Sequence, residues 1–301
     1  MNSPLINVIL FSVFWAIQIF ASKLGFRAGA QVVPFTIQTG FITIMLLTIY
    51  VLIFKRDQLK QLTKNVIFSL LIANAIHNGL GSFLSNAGIS LTSAVNVGFL
   101  IQFTTVTTSV LAWLFLKEKM PLSKVITIIT IMIGTFLLIT KGQLITPHIG
   151  DILILLACLS WSTGNILVKK LLNKNKVDSD LVSFLRPIAG VPVFFGFILF
   201  KQFYPPSTQI MLQATNIWNF NFFPYVFFNG LFAVLLWIFL NRTLKIASAS
   251  YMTMMSSLTP VLVAILAIVI LKETLIPIQW VGVFLISISG IATQLLKIEK
   301  H

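Results

Sequence analysis

The third long apolar run of this chain, near residues 66–86, carries Asn74, His77, Asn78, Ser82 and Ser85 at steps of three and four residues. On a helix of about 3.6 residues per turn, those side chains share one face. Amides, hydroxyls and an imidazole on one stripe can donate to and accept from a polar solute, and the imidazole titrates near neutral pH. Other apolar runs repeat the theme: Trp15 with Gln18, then Asn96, Gln102, Thr105 and Ser109, then Ser160, Trp161, Ser162, Thr163 and Asn165, then Ser256, Ser257 and Pro260. Two readings compete for these groups. They line a shared cavity walled by Trp15, Trp161 and Trp237, or they are interhelical glue worth about 0.6 kcal/mol per contact. The expected solute-binding set is Trp15, Gln18, Asn74, His77, Asn78, Asn96, Gln102, Trp161, Asn165, Arg186, Ser256 and Ser257. Arg186 lies about one turn inside its run, where it touches substrate, binds lipid phosphate or caps a neighbouring helix. Pro260 interrupts a backbone hydrogen bond and is the expected hinge.

What is missing narrows the chemistry. The seven acidic residues are Asp57, Glu118, Asp151, Asp178, Asp180, Glu273 and Glu299, and none falls mid-run. A proton-driven carrier usually loads a carboxylate or His inside the membrane, so His77 is the one candidate; otherwise the protein is a facilitator or exchanger. No phosphate-binding Gly-x-x-x-x-Gly-Lys-Ser/Thr segment occurs. No metal-ligand spacing is present, and the single Cys158 sits in an apolar run. No cofactor, metal or enzymatic activity is expected. His148 with Asp151 is the one acid–base pairing near an interface, and Pro147 and Gly150 mark it as an ordinary turn. Glu118 and Glu273, each beside a Lys at a run's end, are expected to pair locally, Lys23 to snorkel, and Lys169 and Lys170 to act as orientation signals.

These residues must be positioned by membrane helices. The 301 residues are 57% hydrophobic and 9% charged, against roughly 25% charged in soluble domains. Ten apolar runs fall near 5–22, 33–54, 66–86, 93–116, 122–140, 151–169, 182–200, 222–241, 249–270 and 276–296. A span needs roughly 20 residues, so the expected fold is an all-α integral membrane protein of ten transmembrane helices. The first run is read as a retained span, because Met1 to Pro4 lacks the basic residues of a signal peptide. The net charge of +14 would suggest nucleic acid in a soluble chain. Here 16 of the 21 Lys and Arg fall on one side of the ten-span plan and 5 on the other, which places both termini in the cytoplasm. No nucleic-acid partner is expected. The stretch 201–221, with Tyr204-Pro205-Pro206 and Trp218, is read as an outside loop.

The chain also resembles itself. Residues 86–118 align without a gap on 241–273, with ten identities in 33 positions that end in a shared Leu-Lys-Glu. Trp15 with Lys23 answers Trp161 with Lys169, and Gln38 answers Arg186. Five spans per half is an odd number, so the second copy enters the membrane inverted. The halves are expected at 1–141 and 149–297. Inverted repeats are a secondary-transporter architecture with the substrate site near the midplane.

On Trp15 to Lys23, Trp161 to Lys169, and Ser256, Ser257, Pro260 through Leu271-Lys272-Glu273, the chain resembles ten-helix EamA-type members of the drug/metabolite transporter superfamily. The first half departs from that pattern, with Thr105 in place of a proline and Gln38 in place of an Arg. The resemblance implies a transporter in the cell membrane that moves a small polar or amphipathic metabolite, amino-acid-like or drug-like, by alternating access and more readily outward than inward. Its partners are the small-molecule substrate and the lipid bilayer; a monomer suffices, and a homodimer is compatible. The competing readings are a channel-like or scaffold protein, and a membrane enzyme acting on lipid-linked sugar. A pore would need a continuous polar stripe, yet Val66 to Ala73 offers only Ser69.

Overall fold

The structure is a computed structural model, and it describes residues 3–30, 32–92, 94–144, 146, 148–174, 177–199, 220–272 and 274–295. Among them, nine segments are long and apolar enough to cross a membrane. The remaining crossing, the seventh, is the helix Ser179–Leu199, which carries Arg186 and two internal prolines, Pro187 and Pro192. The protein is an all-helical, ten-span membrane protein. The loop expected at 201–221 lies outside the described residues up to 219, and with it Trp218.

The first two spans are Pro4–Arg27 and Val32–Phe54. The third is composite: helix Lys64–Asn74, a π-turn over Ala75–Leu80, then helix Gly81–Leu91. Its start is capped by Thr63, whose hydroxyl accepts from the Val66 N–H in the manner that satisfies an orphan helix donor. The fourth span is broken into Ala94–Leu100 and Phe103–Leu116, and the ninth into Ala249–Ser256 and Thr259–Leu271. The fifth and sixth are Leu122–Thr140 and Ile149–Lys174; the eighth and tenth are Phe223–Ile246 and Pro277–Leu295. The fourth, fifth and ninth spans end on Lys117, Lys141 and Lys272 in left-handed backbone, with φ of 57°, 58° and 56°. A non-glycine residue there costs about 1–3 kcal/mol, and at Lys117 and Lys272 the cap is repaid by an N–H reaching back to Ala112 and Ala267.

Packing interleaves the halves. The first span lies along the eighth, the fifth along the tenth, and the sixth against the third and fourth. Trp113, Phe115, Ile53 and Phe284 are among the large apolar side chains left on the outside, a surface that suits lipid rather than water. The largest buried apolar cluster joins Val8, Leu70, Leu172, Leu181, Leu244, Ala249 and Met252. These residues sit at the ends of spans one, three, six, seven, eight and nine that lead to the Lys/Arg-rich face, so that end is plugged by close packing.

Candidate functional site

Above this plug lies a cavity of about 370 Å³, within the size range of small-molecule sites. Its wall takes side chains from the first, third, fourth, sixth, eighth and ninth spans: Trp15 and Gln18, His77, Asn78 and Ser82, Gln102, Thr104 and Thr105, Trp161 and Asn165, Trp237, and Thr253 and Ser256, with Phe11, Ile101, Leu236, Leu240 and Met252 among the apolar lining. In the repeat these spans are partners, one with six, three with eight, four with nine. Each half therefore supplies the same three walls.

The π-turn explains the densest polar patch of the sequence. A π-turn misaligns its carbonyls and recurs at functional sites, and here three bonds between spans hold it. The Ser160 hydroxyl donates to the Ile76 carbonyl at 2.7 Å, and the Asn78 amide donates to the Arg186 carbonyl at 2.8 Å. His77 Nδ1 lies 2.9 Å from the Trp161 carbonyl; a carbonyl only accepts, so Nδ1 carries the proton. Two close approaches make this seat possible. A Cβ on Gly164 would stand 2.5 Å from His77 Cβ, and one on Gly81 would stand 2.4 Å from Trp161 Cδ1. Both positions admit only glycine without displacement.

Next to the turn, Arg186 is fully buried. Its Nε and Nη2 donate to Asn241 Oδ1 at 3.1 and 2.9 Å, and Nη2 also donates to Asn165 Oδ1 at 3.1 Å. The guanidinium carbon lies 5.2 Å from the centre of the Trp237 ring, a cation–π contact, and the His77 ring meets the same indole edge-on at 5.9 Å. Arg186 thus stands one side chain behind the cavity wall.

Eight of the twelve expected side chains line the cavity: Trp15, Gln18, His77, Asn78, Gln102, Trp161, Asn165 and Ser256. Four do not. Asn96 is turned to Asp151 and the Thr146 carbonyl. Ser257 returns its hydroxyl to the Met254 carbonyl in its own turn. Asn74 is buried between helices, and Arg186 stands in the second layer, buried away from any lipid phosphate. Pro260 also differs from expectation. It is the second residue of the helix Thr259–Leu271, a position that needs no N–H, and the fourth span breaks at the corresponding turn with Thr105 there instead. The fourth span thus makes the same kind of break without a proline. Sequence reasoning passed over Asn241 as a site residue; its signal was an amide one turn from Trp237 in an otherwise apolar run.

The polar contacts at the Lys/Arg-rich end cross between the halves. Glu118 does not pair with its neighbouring Lys117; it is 3% exposed and accepts from the Ala249 N–H at 2.7 Å, the Ser250 N–H and the Ser250 hydroxyl. A carboxylate at a helix N-terminus satisfies orphan donors and faces the positive dipole end. Lys124 stands 3.6 Å from it. Nearby, Asp180 receives the Tyr50 hydroxyl at 2.8 Å and two Arg242 nitrogens at 2.9 and 2.7 Å, while Lys55 reaches Asp178 at 2.8 Å. Burial works against the Lys55 ammonium, but the Asp178 hydrogen bond and the Asp180 and Asp178 charges outweigh it and raise its pKa above the usual lysine value. Lys169 is buried rather than displayed as an orientation signal, and the side chains of Lys23 and Glu273 lie outside the described set. At the opposite end Asp151 accepts from Thr92, Asn96 and the His148 N–H, so its tie to His148 is through the backbone.

Ten membrane helices in two five-helix repeats, meeting around a central cavity, define the architecture of a secondary carrier. The sequence model of the EamA-like transporter family matches twice, over residues 2–140 and 148–293. The chain belongs to that family, and it is a multi-pass membrane transporter of the drug/metabolite type. Among solved proteins 29 chains match; one crystal structure of a protein aligns over 98% of each chain with a TM-score of 0.75 at 15% identity. That likeness is one of fold alone. No curated protein matches the sequence.

Proposed function

We propose that the protein carries a small polar or amphipathic organic solute across the cell membrane by alternating access, with both termini cytoplasmic and export the favoured direction. The observation that carries this reading is the cavity itself: three repeat-related pairs of spans surround it, and one end is shut by the apolar plug and by the contacts of Glu118 and Asp180 between halves. Opening toward that end must break those contacts, which is what a carrier does and a static scaffold does not. Amide and hydroxyl groups of Gln18, Asn78, Gln102, Asn165 and Ser256 would meet the polar part of the solute, and Trp15, Trp161 and Trp237 its apolar part. A single chain encloses the cavity, so a monomer suffices.

Among the described residues every carboxylate sits near a helix end, so coupling runs through His77 or the protein equilibrates or exchanges its substrate. Proteoliposome uptake of a metabolite panel, with and without a pH gradient, tests both. Trp161→Ala and Asn78→Ala are each expected to reduce uptake at least about tenfold with normal expression. Full uptake in both variants would remove these side chains from the site. A strict gradient requirement that survives His77→Ala would overturn both coupling schemes.

A further inference from the structure

We infer that Arg186 is the counter-charge for an anionic group on the solute, which makes the substrate class a small amphipathic organic oxyanion. This deepens the carrier reading above and rests on it. An Arg buried to 0% exposure in a membrane protein ordinarily pairs with a carboxylate, because an isolated charge in a low-dielectric interior is costly. Arg186 has none. The described acids lie elsewhere: Asp178 and Asp180 pair with Lys55 and Arg242, Glu118 is held by Ala249, Ser250 and Lys124, Asp151 by Thr92 and Asn96, and Asp57 is exposed on the short helix Arg56–Gln61.

Its partners are neutral. Two amide oxygens, of Asn165 and Asn241, and the face of Trp237 supply partial negative charge only. They also leave one arm of the fork unused, since Nη1 is buried with no hydrogen-bond partner among the described residues. A guanidinium with a free arm is shaped for an oxyanion, which takes two parallel N–H donors. Asn165 and Trp237 both touch Arg186 and both line the cavity. An oxyanion pressed between them replaces the Asn165 oxygen as acceptor and supplies the missing charge, while the indoles of Trp15 and Trp161 flank the apolar remainder. A cation or a neutral solute in the same place would leave the Arg186 charge uncompensated. Carboxylate and phosphate monoester share this chemistry.

The test is equilibrium binding to the purified full chain in detergent, by calorimetry and by shift of the unfolding temperature. The probes are 3-phenylpropionate, 3-phenylpropyl phosphate, 3-phenylpropionamide and 3-phenylpropylamine. At least one oxyanion is expected to bind about tenfold or more tighter than the amide and the amine, and the better of the two identifies the headgroup. Arg186→Gln reduces that oxyanion to the amide's level, whereas Arg186→Lys keeps part of the preference. Asn165→Asp installs a carboxylate where the native amide oxygen lies 3.1 Å from Nη2. This variant is expected to lose oxyanion binding at least about tenfold with an unfolding temperature at or above the native one, so the loss is not one of folding. Equal binding of amide or amine, binding of no probe, or an oxyanion preference that survives both Arg186→Gln and Asn165→Asp overturns the inference. Oxyanion binding without proteoliposome uptake would instead break the carrier reading and leave Arg186 as the counter-charge of a binding site that does not transport. Uptake of neutral or cationic solutes without oxyanion preference would do the reverse.

Discussion

Spans four and nine answer each other turn for turn, and spans three and eight do not. The fourth breaks at Ile101-Gln102 and the ninth at Ser257-Leu258, both with backbone bonds tightened to three-residue steps, and each ends on a left-handed lysine, Lys117 and Lys272. One break has a proline after it and the other Thr105, whose hydroxyl crosses to the Thr253 carbonyl at 3.3 Å. The eighth span runs as one regular helix through Phe223–Ile246, while the third is interrupted by the π-turn that seats His77 and Asn78. Features that both halves share come with the duplicated module and its packing. Features found on one side only, the π-turn and the Arg186–Asn165–Asn241 group it leans on, give this cavity its own chemistry.

The largest expected effect sharpens the shared part. Glu118→Ala leaves two buried N–H groups and the Ser250 hydroxyl at the start of the ninth span without their acceptor, at a cost of about 2–4 kcal/mol. Thermal unfolding in detergent should show it, and Glu273→Ala, at the repeat-related position, should cost a similar amount if the two halves are latched alike. Next comes the one-sided part. Gly164→Ala drives a methyl into His77 and should cost about 1–3 kcal/mol as overpacking, with uptake falling more than stability alone explains because the π-turn is displaced. A variant with native uptake and native melting would show that the turn tolerates what the geometry forbids. The smallest effect concerns the breaks. Pro260→Ala should change stability by less than about 1 kcal/mol and leave uptake near native, since the fourth span makes the same break without a proline. A strong transport defect would restore the proline as a hinge.

Much of the fold was legible in the sequence because lipid imposes a simple rule: each crossing must be a long apolar helix with its backbone satisfied internally. The repeat was legible because Leu116-Lys117-Glu118 and Leu271-Lys272-Glu273 are too polar to coincide through apolar bias. The site was partly legible. Trp15, His77, Asn78 and Trp161 stand out as polar or amphipathic groups at mid-span, and they do line the cavity. Asn96 and Ser257 have the same character and turn elsewhere, one to Asp151 and one to its own backbone. A single polar residue in an apolar run satisfies either demand, and only its neighbours decide which.

Glu118 shows the same division. Beside Lys117 in sequence, it invites a local ion pair, yet the left-handed turn at Lys117 carries its carboxylate to the ninth span's first N–H groups. Arg186 is the sharpest case. The chain alone places a cation about one turn inside an apolar run; it does not tell whether substrate, lipid phosphate or the end of a neighbouring helix stands opposite. Hydropathy and charge spacing, which act along the chain, determined the spans, their number and the duplication. Burial, the free arm of the guanidinium and the closing of one end depend on which surfaces of distant spans meet, and those were decided only when the two halves packed.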